Sequence, residues 1–165
     1  MTLSELNAAD RERFVAGIGW TFEGSPWVAE RAWARRPFAS LDQLCDVMAA
    51  EVASASVGEQ LELLRAHPDL GARARMSRAS AGEQAGAGLD SLTSDELERL
   101  QRLNGAYRRK FGFPFLYAVR GSTKEAILDA LEARLPSRPD DELAEALRQV
   151  FRIARFRLEG AIAPG

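Results

Sequence analysis

A recurring helix-start signal, spread from one end of the chain to the other, constrains this sequence more than any other feature. The first backbone N–H groups of a helix lack intrahelical partners, and a serine, threonine, asparagine or aspartate side chain can accept from them. Ser40 with Gln43, Ser56 with Glu59, Ser80 with Glu83, Thr93 with Glu96 and Ser122 with Glu125 all have the spacing of a capping box. Asn7 with Asp10 suggests a further cap, and Ser25-Pro26 offers serine at N-cap and proline at N1. Apolar residues follow at helical spacing: Phe14, Val15 and Ile18; Trp27, Val28 and Trp33; Leu41, Leu44, Met48 and Val52; Leu61, Leu63 and Leu64. The pattern resumes with Leu97, Leu100, Leu103 and Tyr107, then Ile127, Leu128 and Leu131. Arg36-Pro37, Gly112 and Pro136 read as stops. A last helix from about Pro139 to Leu158 carries Leu143, Ala146, Leu147, Val150, Ile153 and Ala154 on one face. The connector Ala72 to Ala79, rich in arginine and alanine, reads as a short helix or irregular coil. No stretch alternates between apolar and polar with hairpin turns. The expectation is an all-α fold, a compact single-domain bundle of about eight short helices over residues 1–165.

Composition removes several classes of function. A formal charge of -2 gives no electrostatic case for nucleic acid or an anionic membrane. One cysteine excludes an internal disulfide, and one cysteine with one histidine argues against a zinc or iron site, so no metal is expected. Cys45, on an apolar helical face, reads as core rather than nucleophile. There is no 18-residue apolar run, and Glu5, Asp10, Arg11 and Glu12 do not suit a signal peptide. Ala163-Pro164-Gly165 is not a peroxisomal tripeptide, which leaves the cytoplasm as the expected location.

Chemistry concentrates in one stretch. His67 is the lone histidine, and so the one side chain whose ordinary pKa lies near neutrality. Pro68 disfavours the α region at the residue before it, so a helix should end there and leave the imidazole at a helix C-terminus. Ser80, Glu83 and Gln84 follow across the connector. A C-capping histidine and a Ser80–Glu83 capping box are the bland readings of these residues, a polar ligand site that moves a proton the sharp one.

The order of motifs favours the sharp reading. After His67-Pro68 come Met76-Ser77, Ser80, Glu83-Gln84 and Ala87-Gly88-Leu89-Asp90. Leu103-Asn104, Tyr107, Lys110-Phe111-Gly112-Phe113-Pro114-Phe115 and Arg157-Leu158 follow. Upstream stand Phe22-Glu23, Ser25-Pro26-Trp27 and Arg36-Pro37-Phe38. The set, from Phe22 to Leu158, strongly resembles the 2-oxo-4-hydroxy-4-carboxy-5-ureidoimidazoline (OHCU) decarboxylases of urate breakdown.

The resemblance implies an all-helical enzyme, commonly dimeric, hence a homodimer here, that converts a small ureidoimidazoline to (S)-allantoin and carbon dioxide. It implies His67 as the central acid–base residue with Glu83 as its catalytic partner. It places Pro68, Ser80, Gln84, Arg157 and the run Phe115, Leu116, Tyr117, Ala118 and Val119 around the substrate. Asn104, Tyr107 and Lys110 are assigned to structure. No cofactor is expected: Lys110 and Lys124 are the only lysines, neither suits a Schiff base, and no glycine-rich phosphate loop is present. The substrate's own ring would then receive the electrons that carbon dioxide leaves behind. A helical ligand-binding module that keeps the pocket without the chemistry is the alternative.

Overall fold

The elements expected from those caps are present, with several starts displaced, in a computed structural model that describes residues 1–72 and 77–164. Among the described residues there are nine α-helices and no strand: α1 (Leu3–Ala8), α2 (Arg11–Ile18), α3 (Trp27–Trp33), α4 (Leu41–Ala53), α5 (Val57–Arg65), α6 (Arg78–Gly86), α7 (Ser94–Phe111), α8 (Lys124–Arg134) and α9 (Pro139–Ala161). The all-α expectation holds. The chain clusters into two compact units, Met1–Ala66 together with the chain from Val150 on, and His67–Gln149. Helix α9 contributes its first half to the second unit and its remainder to the first.

In the first unit, Leu6, Phe14, Val28, Leu44, Met48, Val52, Leu63 and Leu64 form a core sealed from water. Ser40 caps α4 through Gln43 N–H, and Ser56 with Glu59 forms a full capping box on α5, as their spacing predicts. Two other starts differ. Thr2, with Glu5, caps α1, and Asp10 caps α2 through Arg13 N–H. Asn7 is not a cap: it lies inside α1, and its side-chain amide bonds both the C=O and the N–H of Phe38. Nor does Ser25 cap α3, because its hydroxyl donates to Glu23 C=O at 2.9 Å and Pro26 becomes the N-cap residue. Cys45 is half-buried rather than core. It borders a hollow of about 270 Å³ with Phe22, Ala49 and Arg155, and burial pushes its thiol pKa up, against a nucleophilic role.

In the second unit, Leu100, Leu103, Tyr107, Phe113, Phe115, Ile127, Leu131 and Ala146 form the core. Thr93 with Glu96 caps α7 as expected. That helix ends at Gly112, whose φ of 80° is the left-handed conformation glycine adopts without strain. Helix α8 starts one residue later than the Ser122–Glu125 spacing suggests. Thr123 is its cap, and the Ser122 hydroxyl lies 3.1 Å from the Tyr117 hydroxyl. Along α9 the apolar face includes two polar positions, Glu142 and Gln149, both buried, while Leu143 and Leu147 are half-buried. Of the connector expected between Ala72 and Ala79, residues 73–76, Met76 included, lie outside the described residues; Arg78 and Ala79 begin α6.

Candidate functional site

Helix α5 ends at Arg65 with Ala66 as its C-cap, so His67 is the first residue beyond the helix, where the proline after it requires a non-helical entry. The imidazole-bearing residue is 7 % exposed. The loop that follows is anchored at successive residues. Asp69 pairs with Arg108 at 3.3 Å, Leu70 C=O accepts from Asn104 Nδ2 at 3.0 Å, and Gly71 N–H donates to Gln84 Oε1 at 2.8 Å. Gly71 is required there: its φ is 78°, and a Cβ would lie 2.6 Å from the Leu100 side chain. Asn104, assigned to structure from sequence, thus holds the loop behind the histidine. A hollow of about 300 Å³ lined by Asp69, Leu70, Leu100, Asn104 and Arg108 flanks this loop, but none of the predicted site residues borders it.

Helix α6 bears on the capping reading of Ser80 and Glu83. Its N-cap is Ser77, whose hydroxyl accepts from Ser80 N–H at 3.1 Å. Ser80 and Glu83 therefore lie inside the helix, and the capping-box reading of that pair is overturned. The reason is positional: Ser80 has already entered helical geometry by the time its side chain would be needed. Ser80 and Gln84, four residues apart, share a helix face, and both are 5 % exposed. Glu83 adjoins that face and is half-buried. Through Gln84 the helix that carries Glu83 is bonded to the loop that begins at His67. Pro68, half-buried, sits at the start of that loop.

The run Phe115 to Val119 is non-helical, and all of it except half-buried Tyr117 is buried. Its position is fixed by side chains from α8 and α9. Arg134 Nη1 donates to Leu116 C=O at 2.6 Å, and Ala118 N–H donates to Gln149 Oε1 at 2.9 Å. The Arg134 guanidinium lies 4.5 Å over the Phe115 ring, and Phe115 packs edge-on against Tyr107. Glu142 completes this cluster by accepting from Arg134 Nε at 2.6 Å and from the Tyr107 hydroxyl at 2.5 Å. Tyr107 has its phenol pKa raised far above the ordinary value, by burial first and by the Glu142 carboxylate second. Lys110, as expected, is structural, donating to Leu135 C=O at 2.6 Å.

In the other unit, Arg157 is 5 % exposed, unlike Arg152 and Arg155 beside it, which are exposed as expected. Its Nη1 donates to Glu23 Oε2 at 2.8 Å and approaches Thr21 C=O at 3.5 Å. Glu23, 8 % exposed, is a buried acid that sequence reasoning quoted without giving it a role. Arg134, Glu142 and Gln149 were missed outright. For Glu142 and Gln149 a signal existed, since both interrupt the apolar face of α9 near Ala146 and Val150. Among the described residues no group of three His, Cys, Asp or Glu side chains is placed to hold a metal ion.

Comparison with known proteins bears on the chain as a whole. The family model described as OHCU decarboxylase matches residues 7–159. The chain is 48 % identical over 164 residues to a 2-oxo-4-hydroxy-4-carboxy-5-ureidoimidazoline decarboxylase of Halalkalicoccus jeotgali, covering 99 % of this chain and 93 % of that one. A protein of the same name from Haloferax volcanii is 48 % identical over 158 residues, 96 % of this chain and 94 % of that one. Among solved structures, a crystal structure of (S)-allantoin synthase superimposes with a TM-score of 0.80 at 37 % identity, over 98 % of this chain; the chain spans about half, 54 %, of that protein's length. The chain belongs to the OHCU decarboxylase family.

Proposed function

We propose that the protein decarboxylates 2-oxo-4-hydroxy-4-carboxy-5-ureidoimidazoline to (S)-allantoin, as a carboxy-lyase in urate breakdown. Membership of the family across both compact units supports this, and residues 1–165 act as one catalytic domain in this reading. The observation that carries the residue assignment is the buried His67, the one imidazole of the chain, in a loop bonded through Gly71 and Gln84 to the helix bearing Glu83.

The chemistry asks little beyond orientation and a proton. When the bond to the carboxylate breaks, its electron pair passes into the adjacent ring C=N, so the substrate is its own electron sink. The ring nitrogen that receives the charge takes a proton from solvent. His67, steered by Glu83, removes the proton of the substrate hydroxyl, which becomes the ring carbonyl. The same imidazole then delivers that proton to the ring carbon bearing the ureido group, from one face, setting the (S) configuration. Arg157 offers a planar set of donors to a carboxylate or ureido carbonyl. Pro68, Ser80, Gln84 and the backbone from Phe115 to Val119 hold the ring and the ureido arm. No helix of the described residues is long and apolar enough to cross a membrane, and we place the enzyme in the cytoplasm as a homodimer.

Replacing His67 tests the assignment. His67→Asn should lower turnover by about 10²–10⁴-fold, the usual contribution of a general acid–base, while a substrate analogue still binds. The assay follows the optical activity of (S)-allantoin against the racemic background of spontaneous decay. Turnover near wild type would overturn the role of His67.

A further inference from the structure

Every backbone N–H and C=O in a stretch without helix or sheet needs its own partner, and those the protein satisfies itself are closed to a ligand. Between Phe115 and Val119, three are claimed among the described residues. Leu116 C=O accepts from Arg134, Ala118 N–H donates to Gln149, and Val119 C=O accepts from Ser122 N–H at 3.0 Å. The first two have a geometric consequence. In a planar trans peptide the C=O of one residue and the N–H of the next point in opposite directions. The cis bond among the described residues is Arg36–Pro37, so the peptides on either side of Tyr117 are trans. With Leu116 C=O turned toward Arg134, the Tyr117 N–H points away from that guanidinium. With Ala118 N–H turned toward Gln149, the Tyr117 C=O points away from that amide. Two grips on neighbouring residues thus aim both polar groups of the residue between them.

Gln149 is built to keep its grip. It is 7 % exposed, and its Nε2 donates to Glu145 Oε1, one turn earlier on α9, at 2.8 Å. That bond fixes which end of the amide faces the segment: the nitrogen is committed to a carboxylate, so the oxygen is presented to Ala118. Arg134 is held in turn by Glu142 and by the Phe115 ring.

We propose that Gln149 is a positioning residue for the reaction, aiming the N–H and C=O of Tyr117 as an adjacent donor and acceptor for an amide or ureido edge of the substrate. The proposal rests on the reading that the Phe115–Val119 backbone meets the substrate. It adds the side chain that decides which of those backbone groups are available and where they point.

Gln149→Leu keeps the bulk and removes the acceptor. Losing one well-aimed hydrogen bond to substrate should raise KM by about 10-fold, with kcat changed less than about threefold. Hydrogen exchange at the Ala118 amide should quicken by at least about 10-fold as its partner disappears. The double exchange Glu145→Gln with Gln149→Glu reverses donor and acceptor along α9 but restores an oxygen opposite Ala118. It should return KM to within about twofold of wild type. A purely structural role would lower the melting temperature and leave KM alone. If the Leu variant fails to fold, Glu145→Ala frees the amide without emptying the interior, and KM should rise about two- to threefold. Faster Ala118 exchange with unchanged KM would sink the reading of this segment as a substrate contact, and the proposal with it. Unchanged exchange with unchanged KM in the folded variant would sink the proposal alone.

Discussion

Arg157 reaches its carboxylate across 134 residues of sequence, whereas Arg134 reaches its own across eight. The side chains of both pairs are largely withdrawn from water, Arg157 and Glu23 at 3 % and 9 %, Arg134 and Glu142 at 14 % and 2 %. Burial alone would rank them together as candidates for chemistry. Their neighbours separate them. Arg134 spends its donors on Glu142 and Leu116 C=O and lays its face on Phe115, inside a cluster of Tyr107, Phe111, Phe113 and Phe115. Arg157 meets Glu23 and Thr21 C=O, at the turn after α2. One arginine supports a segment of backbone; the other, in our reading, serves the substrate. A buried ion pair is weak evidence of function until what it holds is known.

The largest expected effect comes from breaking the scaffold pair. Glu142→Ala leaves the Arg134 charge and the Tyr107 hydroxyl buried without their shared acceptor, which should cost about 3–5 kcal/mol of stability. The urea midpoint measures this, and a loss below about 1 kcal/mol would erase the distinction drawn between the two arginines. Glu23→Gln is gentler, because an amide oxygen can still accept from Arg157 Nη1. Replacing the ion pair by a hydrogen bond from the guanidinium to a neutral amide should cost about 1.5–3 kcal/mol at most. KM should rise severalfold as the guanidinium loses its fixed orientation. Stability loss with an unaltered KM would reclassify Arg157 as scaffold too.

How far the sequence alone could reach follows the same division. Ser40, Ser56 and Thr93 cap where their spacing says, because nothing distant competes for their side chains. Asn7, Ser25 and Ser122 carry the same signal and do not cap. Phe38, the Glu23 carbonyl and Tyr117 draw their side chains away; Phe38 lies 31 residues from Asn7, while the other two partners lie only 2 and 5 residues from their serines. Ser80 fails for a different reason, having Ser77 ahead of it. For the proposed site, His67 and Arg157 were singled out by type and by resemblance, since one is the lone histidine and the other sits beside Leu158 in a familiar order. Glu23 and Arg134 were given no role: Glu23 pairs with a charge 134 residues away, which leaves no periodic trace, and Arg134 pairs across the break between α8 and α9, where helical spacing no longer applies. Gln149 and Glu142 could have been suspected as polar side chains on an apolar helix face, where each needs a partner inside the protein.

The smallest effect gives the finest discrimination between the two pairs. Tyr107→Phe removes one donor to Glu142 and leaves Arg134 in place, so about 1 kcal/mol should be lost at neutral pH. Burial and the adjacent carboxylate hold the Tyr107 phenol protonated well above its ordinary range. In the unfolded chain the same phenol ionises near about pH 10. A folded pKa above the unfolded one means the contribution is complete below that point and is lost as pH climbs beyond it. Wild type should therefore lose stability between about pH 9 and 11 more steeply than the Phe variant, and the gap between their urea midpoints should narrow. The deficit of Glu23→Gln, which weakens the bond between Arg157 and residue 23, supplies the reference and should stay level over that range. Parallel curves for wild type and Tyr107→Phe would mean that the phenol is not part of the charged cluster, and would leave the hold of Glu142 on Arg134 as a simple pair like the other.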